Sequence, residues 1–266
     1  RNAPRLRIVA RFGVGYERVD VEACTERGVY VSYTPGVLSN AVAELTMGLI
    51  LCLSRKIPEA DRHVRTEWAK GSRFPSGMDL EGKTLGIIGL GRIGHAVATR
   101  AKAFDMEIVY YDFRRNRDVE EALGARVLEL DDLLRVSDFV SIHVPLTSST
   151  RGFIGERELK LMKRDAYVIN TSRGAVIGEE ALCRAIDEGW IAGAGLDVFV
   201  KEPLPLDSPL VKLKNVVLTP HMSTSTVETR RKMAQVNVKD IRRVLRGEPP
   251  LNPVPEQRGK IFQKPE

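Results

Sequence analysis

Residues 83–112 constrain the fold of this chain more than any other stretch of its sequence. They begin with an apolar run typical of a strand that is buried on both faces. Three glycines at the spacing G-x-G-x-x-G follow, and then a pattern of small and apolar residues that is typical of a helix. A second apolar run ends on Asp112. This order of strand, glycine turn, helix, strand and acidic residue predicts a βαβ unit that binds a dinucleotide.

Each residue type in this unit has a physical role. Gly89 lets the chain turn sharply out of the strand, Gly91 lets backbone N–H groups approach a pyrophosphate, and Gly94 lets the helix pack closely on the sheet. The N-terminus of the helix presents free N–H groups and the positive end of its dipole to the phosphates. Asp112 can accept hydrogen bonds from the ribose hydroxyls. We therefore predict that these four residues bind the cofactor.

The charges near Asp112 bear on which cofactor binds. A carboxylate at this position would repel the 2′-phosphate of NADP, which favours NAD. Three arginines follow closely and would attract that phosphate: Arg114, Arg115 and Arg117. Because arginine side chains are flexible and the aspartate is fixed at a strand end, we predict NAD and keep NADP as the alternative.

The composition narrows the class of protein and its partners. With 266 residues, 43% of them hydrophobic and 29% charged, the chain is typical of globular proteins. The formal net charge of +6 comes from scattered basic residues, so we expect no nucleic-acid partner. The longest apolar run, residues 45–53, is too short to span a bilayer, so we expect no membrane partner. Cys24, Cys52 and Cys183 form no metal-ligand spacing and predict free thiols, no metal site and a cytoplasmic protein.

Alternating strand-like and helix-like segments predict the fold class. Their order predicts an α/β doubly wound parallel sheet, which we assign as an NAD-binding Rossmann domain over residues 36–223. Residues 1–35 and 224–266 are expected to form a partial second α/β lobe from both chain ends, a substrate lobe that is incomplete at its N-terminus. Long helices are predicted over residues 40–57 and 224–245. The second helix has one apolar stripe: Val227, Ala234, Val238, Ile241 and Leu245.

Polar residues follow the last strands of the predicted sheet. Ligands of doubly wound folds bind at the carboxyl ends of the strands. Arg173 comes after one strand-like run, Glu202 lies in the loop after the next, and His221 follows the last. Each alone has a structural interpretation, as an ion pair, a solvated loop residue or a surface histidine. Their joint placement at successive strand ends favours a catalytic site over three coincidences.

Several motifs together resemble a known enzyme family. GIIGLGRIG, NTSRG, GAGLDVF and LTPH occur in this order, preceded by GVGYERVD and AVAELT, and resemble the D-isomer-specific 2-hydroxyacid dehydrogenases from about residue 6 to residue 250. The resemblance implies hydride transfer between a nicotinamide cofactor and a small 2-keto or D-2-hydroxy acid. Both the glyoxylate/hydroxypyruvate reductases and the phosphoglycerate dehydrogenases fit. The formate dehydrogenases of this family have a His–Gln pair, and the presence of Glu202 in this chain disfavours that branch.

The resemblance also implies roles for particular residues. Arg173 would bind the substrate carboxylate and polarise the carbonyl group. His221 would act as the acid–base group, with Glu202 hydrogen-bonded to it. Backbone at Val14 and Gly15 would help to bind the substrate carboxylate. The other implied cofactor contacts are Thr46, Arg92, Ile93, Pro145, Thr171 and Asp197.

The sequence departs from the family pattern at three positions. Glu17 and Arg18 stand where the family usually has aspartate and asparagine, and Ser223 stands where glycine is common. Several dozen residues that normally precede Arg1 are absent, so we expect a fragment of a longer protein. The resemblance further implies a homodimer. An alternative function is that of a corepressor-like protein of the same fold that senses NAD(H).

Overall fold

The computed structural model describes residues 3–260 and residue 262. It divides into two compact units. One consists of Arg1–Ala41 with Thr224–Glu266, and we call it the terminal unit. The other is Val42–Ser223, which we call the sheet unit. Their assignment as substrate lobe and cofactor domain stays a prediction.

Helices and strands alternate along most of the described chain. The strands are β1 (Ile8–Ala10), β2 (Tyr30–Ser32), β3 (Thr84–Ile88), β4 (Glu107–Tyr111), β5 (Arg126–Val127), β6 (Phe139–Ile142), β7 (Tyr167–Asn170), β8 (Gly193–Leu196) and β9 (Val216–Leu218). The helices are α1 (Val21–Glu26), α2 (Ser39–Ser54), α3 (Ile57–Thr66), α4 (Arg92–Lys102), α5 (Arg117–Leu123), α6 (Leu130–Val136), α7 (Glu156–Leu161), α8 (Glu179–Asp187), α9 (Pro209–Lys212) and α10 (Val227–Leu245).

The sheet unit is built on one parallel sheet with the strand order β5-β4-β3-β6-β7-β8-β9. Side chains alternate between its two faces, so that Ile87 lies in one buried apolar cluster and Ile88 in another. Helices cover both faces. This arrangement confirms the predicted doubly wound α/β fold. The strand order reverses between β3 and β6, and such reversal points are where ligands of these folds bind.

The terminal unit contains the parallel pair β1 and β2, with α10 packed against them. Its C-terminal segment is held by two buried polar side chains. Gln257 accepts a hydrogen bond from the Val31 N–H at 2.7 Å and donates to the Val29 carbonyl at 3.1 Å. Asp240 on α10 accepts from the Leu251 N–H at 2.7 Å. These contacts join the two ends of the chain within the unit.

The buried face of α10 differs from the predicted apolar stripe. The helix begins at Val227, later than residue 224, and Thr226 caps it by accepting from the Thr229 N–H. Val227, Val238 and Leu245 of the stripe are 72%, 50% and 59% exposed, so the stripe does not supply the core. The buried residues are Thr229, Met233, Asn237, Asp240 and Val244. The contacts of Asp240 to the C-terminal segment fix a rotation of the helix that apolar periodicity does not indicate.

The predicted helix over residues 40–57 was also wrong at its end. α2 stops at Ser54 and α3 begins at Ile57, with Lys56 between them in the left-handed conformation at φ 52°. Pro58 lies in the first turn of α3, where its missing N–H costs no helical hydrogen bond. Proline therefore marks the start of the next helix here.

Candidate active site

The glycine turn lies at the reversal point of the sheet. The His143 N–H, just past β6, donates to the Ile88 carbonyl at 2.8 Å. Gly89 has a φ of 94°, and a Cβ there would lie 2.9 Å from Val144 Cγ1 and 3.0 Å from the His143 carbonyl oxygen. Only glycine therefore suits this position, both in backbone conformation and in space.

The next two glycines shape a cradle at the start of α4. A Cβ on Gly94 would lie 2.2 Å from the Gly89 carbonyl oxygen, so this glycine is needed for the helix to approach the turn. A Cβ on Gly91 would meet no protein atom within 4 Å. Gly91 is the N-cap, and no side chain caps the first turn that Arg92 and Ile93 begin. Open space next to free helical N–H groups fits a pyrophosphate.

Asp112 lies at the end of β4 and is tied to the glycine turn. Its Oδ2 accepts from the Leu90 N–H at 2.8 Å, and its Oδ1 accepts from the Arg114 N–H at 3.2 Å. The Arg115 side chain is bound elsewhere, since its Nη2 lies 2.7 Å from Glu120 Oε2. Hydrogen bonds from Arg115 and then from Tyr110 lower the pKa of Glu120 to about 2. The Arg114 and Arg117 side chains are exposed.

Three further predicted cofactor contacts lie near strand ends of the same sheet. The Thr46 hydroxyl on α2 lies 3.0 Å from the Thr171 hydroxyl, just past β7, and donates to the Val42 carbonyl at 2.8 Å. Thr46 is fully buried. Pro145, three residues after β6, is exposed, and its carbonyl accepts from Thr150 Oγ1 at 2.6 Å. The structure brings Thr46 and Thr171 together, and the cofactor roles of all three stay predictions.

Arg173 lies in a tight turn that follows β7. Asn170, the last residue of β7, is buried and its Nδ2 donates to the Arg173 carbonyl at 2.9 Å. Its Oδ1 accepts from the Ser172 N–H at 3.0 Å and from the Ser172 hydroxyl at 2.8 Å. A Cβ on Gly174 would lie 2.0 Å from the Phe199 carbonyl carbon. The Asn170 side chain therefore holds the turn by hydrogen bonds, and Gly174 packs closely against the segment after β8.

His221 and Glu202 form a hydrogen-bonded pair. His221 Nδ1 lies 2.8 Å from Glu202 Oε2, as the resemblance implies. The other carboxylate oxygen accepts from the Phe199 N–H at 3.1 Å, so both oxygens of Glu202 are fixed. The His221 and Glu202 side chains are 47% and 29% exposed. Contact of a carboxylate with Nδ1 favours the proton on that nitrogen and leaves Nε2 for proton exchange.

Asp197 lies between these two turns, one residue past β8. It is fully buried. Its Oδ1 accepts from the Thr219 hydroxyl at 2.6 Å and from the Met222 N–H at 2.8 Å, while its Oδ2 accepts from the Ser223 N–H at 2.9 Å. The predicted contact of Asp197 with the nicotinamide stays a prediction. The structure shows the carboxylate bound to the turn that carries His221.

Comparisons with known proteins decide the family. The sequence model described as "D-isomer specific 2-hydroxyacid dehydrogenase, NAD binding domain" matches residues 47–223. The chain belongs to this family. This dehydrogenase is thus an oxidoreductase that acts on CH–OH donors with a nicotinamide cofactor, as predicted. The corepressor alternative gains no support.

Several known proteins are similar to this chain over most of their own length. The chain is 50% identical to a glyoxylate reductase of Korarchaeum cryptofilum over 97% of this chain and 79% of the relative. It is 51% identical to that of Thermococcus litoralis, over 94% and 77%. A glyoxylate reductase structure from Paecilomyes thermophila matches at a TM-score of 0.87 and 38% identity, covering 96% of this chain and 77% of that chain. An NADPH-dependent glyoxylate/hydroxypyruvate reductase structure from Sinorhizobium meliloti, in complex with NADP and malonate, matches at 0.89 and 36%, covering 99% and 81%.

Val14 and Gly15, the predicted substrate contacts of this dehydrogenase, belong to the terminal unit. They follow β1 in a loop where Arg11 Nε donates to the Gly15 carbonyl at 3.0 Å. The next residue, Tyr16, donates to Glu256 at 3.2 Å. Burial, and then the Glu256 carboxylate, raise the pKa of Tyr16 to about 12. The loop is therefore held by its own side chains, and its role in substrate binding stays a prediction.

The departures from the family pattern have simple structural settings. Glu17 and Arg18 are exposed. Ser223 is not among the described non-glycine residues with positive φ, so its backbone does not require glycine. No cluster of three or more histidine, cysteine or acidic side chains able to hold a metal ion occurs within residues 3–260 or at residue 262. In the same residues, no helix is long and apolar enough to cross a membrane.

Sequence reasoning missed Asn170 and Thr219 as parts of the site. Both lie at strand ends beside predicted residues, since Asn170 pairs in register with Leu196, and Leu196 with Leu218. Their position in NTSRG and LTPH was the available signal. What the sequence did not indicate is that their side chains bind backbone or carboxylate of the site's own turns.

Proposed function

We propose that this dehydrogenase reduces a small 2-keto acid of the glyoxylate or hydroxypyruvate type, with NADH preferred to NADPH. The observation that carries the proposal is the hydrogen-bonded pair of His221 and Glu202. The pair lies at the carboxyl end of the parallel sheet, and the Asp197 carboxylate binds the turn that carries His221. The substrate class is supported by relatives described as glyoxylate reductases at about half sequence identity. A 3-phosphoglycerate-type substrate is the second candidate from the sequence.

Cofactor binding is proposed at the glycine turn. When bound there, a nicotinamide cofactor would supply the hydride for reduction of the carbonyl group. Backbone at Gly91, Arg92 and Ile93 would bind the pyrophosphate, since the first turn of α4 has free N–H groups next to open space. Asp112 would accept from the ribose hydroxyls. The remaining proposed contacts are Gly89, Gly94, Thr46, Pro145, Thr171 and Asp197.

Arg173 is proposed to bind the substrate carboxylate. A guanidinium presents two parallel N–H donors that match the two oxygens of a carboxylate. The Asn170 side chain and the close packing of Gly174 fix the backbone from which the guanidinium extends. We propose that backbone at Val14 and Gly15 also binds this carboxylate.

His221 is proposed as the proton donor for reduction. Nε2 of the imidazolium would give its proton to the carbonyl oxygen as the carbon receives the hydride, so that C=O becomes CH–OH. Glu202, at 2.8 Å from Nδ1, would hold the ring in the orientation that presents Nε2 to the substrate. In the reverse reaction the neutral ring would take the hydroxyl proton.

A panel of 2-keto acids tests the proposed function. The purified protein is assayed for NADH consumption with glyoxylate, hydroxypyruvate, 3-phosphohydroxypyruvate and pyruvate, and a His221→Gln variant serves as the control. We expect the highest kcat/KM with glyoxylate or hydroxypyruvate and little turnover in the variant. Turnover of none of these acids with NADH or NADPH contradicts the proposal. Highest efficiency with 3-phosphohydroxypyruvate would favour the second candidate.

The assembly and location are proposed from the family resemblance alone. We propose a cytoplasmic homodimer in which the sheet unit provides the contact. Light scattering coupled to size-exclusion chromatography would show a mass twice that of one chain. A monomer at micromolar concentration that is fully active contradicts the dimer and leaves the catalytic proposal unaffected.

A further inference from the structure

We propose that Thr219 is a positioning residue for His221 and that it acts through the buried carboxylate of Asp197. The inference rests on the proposed function, because it takes His221 as the acid–base group. It concerns the turn from Thr219 to Ser223, which carries the histidine out of β9. We call this segment, residues 219–223, the histidine turn.

Donors from both sides of His221 converge on one carboxylate. Before the histidine, the Thr219 hydroxyl donates to Asp197 Oδ1 at 2.6 Å. After it, the Met222 N–H donates to the same oxygen at 2.8 Å and the Ser223 N–H donates to Oδ2 at 2.9 Å. Asp197 is fully buried, so water does not compete for these bonds. The carboxylate thereby fixes both ends of the histidine turn.

The backbone of His221 needs such support. Its φ is 49°, in the left-handed region that residues other than glycine adopt at a cost. The His221 N–H donates to the Asp197 carbonyl at 2.9 Å and to the Thr219 carbonyl at 3.0 Å. A conformation of this kind persists when the surrounding structure determines it, and here Asp197 contacts the histidine turn through both its side chain and its main chain.

Among the described donors to the Asp197 carboxylate, Thr219 contributes the one side chain, since the bonds from Met222 and Ser223 come from the backbone. A hydroxyl bound to a carboxylate makes a short, charge-assisted hydrogen bond, stronger than one between neutral groups. Without it, Asp197 Oδ1 would keep the Met222 N–H alone among its described donors. The start of the histidine turn would keep its backbone bond from the Thr219 N–H to the Leu196 carbonyl at 2.9 Å but lose its side-chain contact with Asp197. A small displacement of His221 would then change how the ring meets Glu202 and the substrate.

Two substitutions separate positioning from general stability. Thr219→Val removes the hydroxyl and keeps the shape, while Thr219→Ser keeps the hydroxyl and is the matched control. We expect kcat with glyoxylate to fall about 10- to 100-fold in Thr219→Val and to return to near the wild-type value in Thr219→Ser. The Kd for NADH, measured by protein fluorescence, is expected to change less than about twofold. Equal kcat in the wild type and in folded Thr219→Val overturns the proposal.

Histidine NMR gives a readout that does not depend on turnover. The protein has four histidines, so the Cε1–H signal of His221 can be assigned as the one missing from a His221→Gln spectrum. We expect its chemical shift and titration midpoint to change in Thr219→Val and to be restored in Thr219→Ser. Titration curves that superimpose in all three proteins overturn the proposal.

Together, the kinetic and NMR experiments distinguish failure of this inference from failure of the proposed function. If the wild type reduces no 2-keto acid, the proposed function fails, and the NMR comparison still decides whether Thr219 positions His221. Should Thr219→Val not fold, Thr219→Ala removes the same hydroxyl without placing a methyl group against the Asp197 carboxylate, and the same two measurements apply to it.

Discussion

Arg173 differs from a lysine at the same position in geometry rather than in charge. Its guanidinium is planar and carries paired donors, whereas an ammonium is a point charge. We therefore expect Arg173→Lys to lower kcat/KM for the keto acid by about 100-fold or more while the Kd for NADH changes little. Steady-state kinetics with glyoxylate, beside an exposed control Arg151→Lys, measures this. Unchanged efficiency in Arg173→Lys would remove Arg173 from the site.

Glu202 contacts His221 Nδ1 with one carboxylate oxygen and the Phe199 N–H with the other. In Glu202→Gln the amide can still accept from the Phe199 N–H, but it offers the imidazolium no carboxylate. We expect the pH–rate profile for reduction to move to lower pH, because the protonated ring is stabilised less. Glu179→Gln is the matched control, since Glu179 accepts from the Val200 N–H and has no histidine partner in the described contacts. Superimposable profiles for Glu202→Gln and the wild type would mean that the pair has no role in proton transfer.

We expect Asp112 and the arginines after it to set the choice of cofactor. The carboxylate is fixed against the glycine turn by the Leu90 N–H, Arg115 is held by Glu120, and Arg114 and Arg117 are exposed. We expect kcat/KM to be about tenfold higher with NADH than with NADPH, which corresponds to about 1.4 kcal/mol. In Glu120→Gln, Arg115 is released and the preference should shrink. An NADPH advantage of tenfold in the wild type would show that the arginines govern the pocket.

At the scale of the elements, Gly174 couples the turn after β7 to the segment after β8. A Cβ there would lie 2.0–2.5 Å from Phe199 backbone atoms, and the Phe199 N–H is bound to Glu202. We expect Gly174→Ala to lower the free energy of unfolding by about 1–3 kcal/mol and to reduce kcat, because Phe199 must shift. Gly48→Ala in α2 is the control, since its Cβ meets no atom within 4 Å and alanine favours helix. Urea denaturation and kcat of both variants test this, and wild-type values in Gly174→Ala would contradict it.

The elements also show which sequence signals were sufficient. β3, the glycine turn, α4 and β4 were predictable because buried strands are apolar throughout and because each glycine has a steric reason. The rotation of α10 was not, because a buried Asp240 bound to the C-terminal segment outweighs the apolar stripe. The end of α2 was predicted at residue 57 instead of Ser54, because Lys56 adopts a left-handed conformation for which its residue type gives no signal.

For the candidate site, the sequence indicated which strand ends carry polar groups but not how those groups hold one another. Arg173, Glu202 and His221 were predicted as site residues because ligands of parallel sheets bind at the carboxyl ends of strands, and that role stays a prediction. The contacts of Thr219 with Asp197 and of Asn170 with Arg173 depend on turn geometry. Residue types alone do not specify that geometry.

At the scale of the whole molecule, a half-buried histidine is expected to link folding to pH. His143 lies past β6 beside the glycine turn, and its Nε2 is 2.8 Å from the Ser141 hydroxyl. The residue keeps some exposed surface, and its partial burial lowers its pKa from 6.5 to about 3. The folded protein therefore keeps His143 neutral at pH values where the unfolded chain binds a proton.

The sign of the resulting pH dependence follows from proton binding. Between pH 6.5 and about pH 3 the unfolded state binds the proton and the folded state does not, so stability falls as the pH falls. The slope from this one group is at most about 1.4 kcal/mol per pH unit. We expect His143→Gln, neutral at every pH, to lose less stability than the wild type between pH 7 and pH 4. Urea denaturation at each pH measures this, and the difference between the two proteins at pH 7.5 gives the pH-independent cost of the substitution. Parallel curves of unfolding free energy against pH would show that His143 is protonated without unfolding the sheet unit.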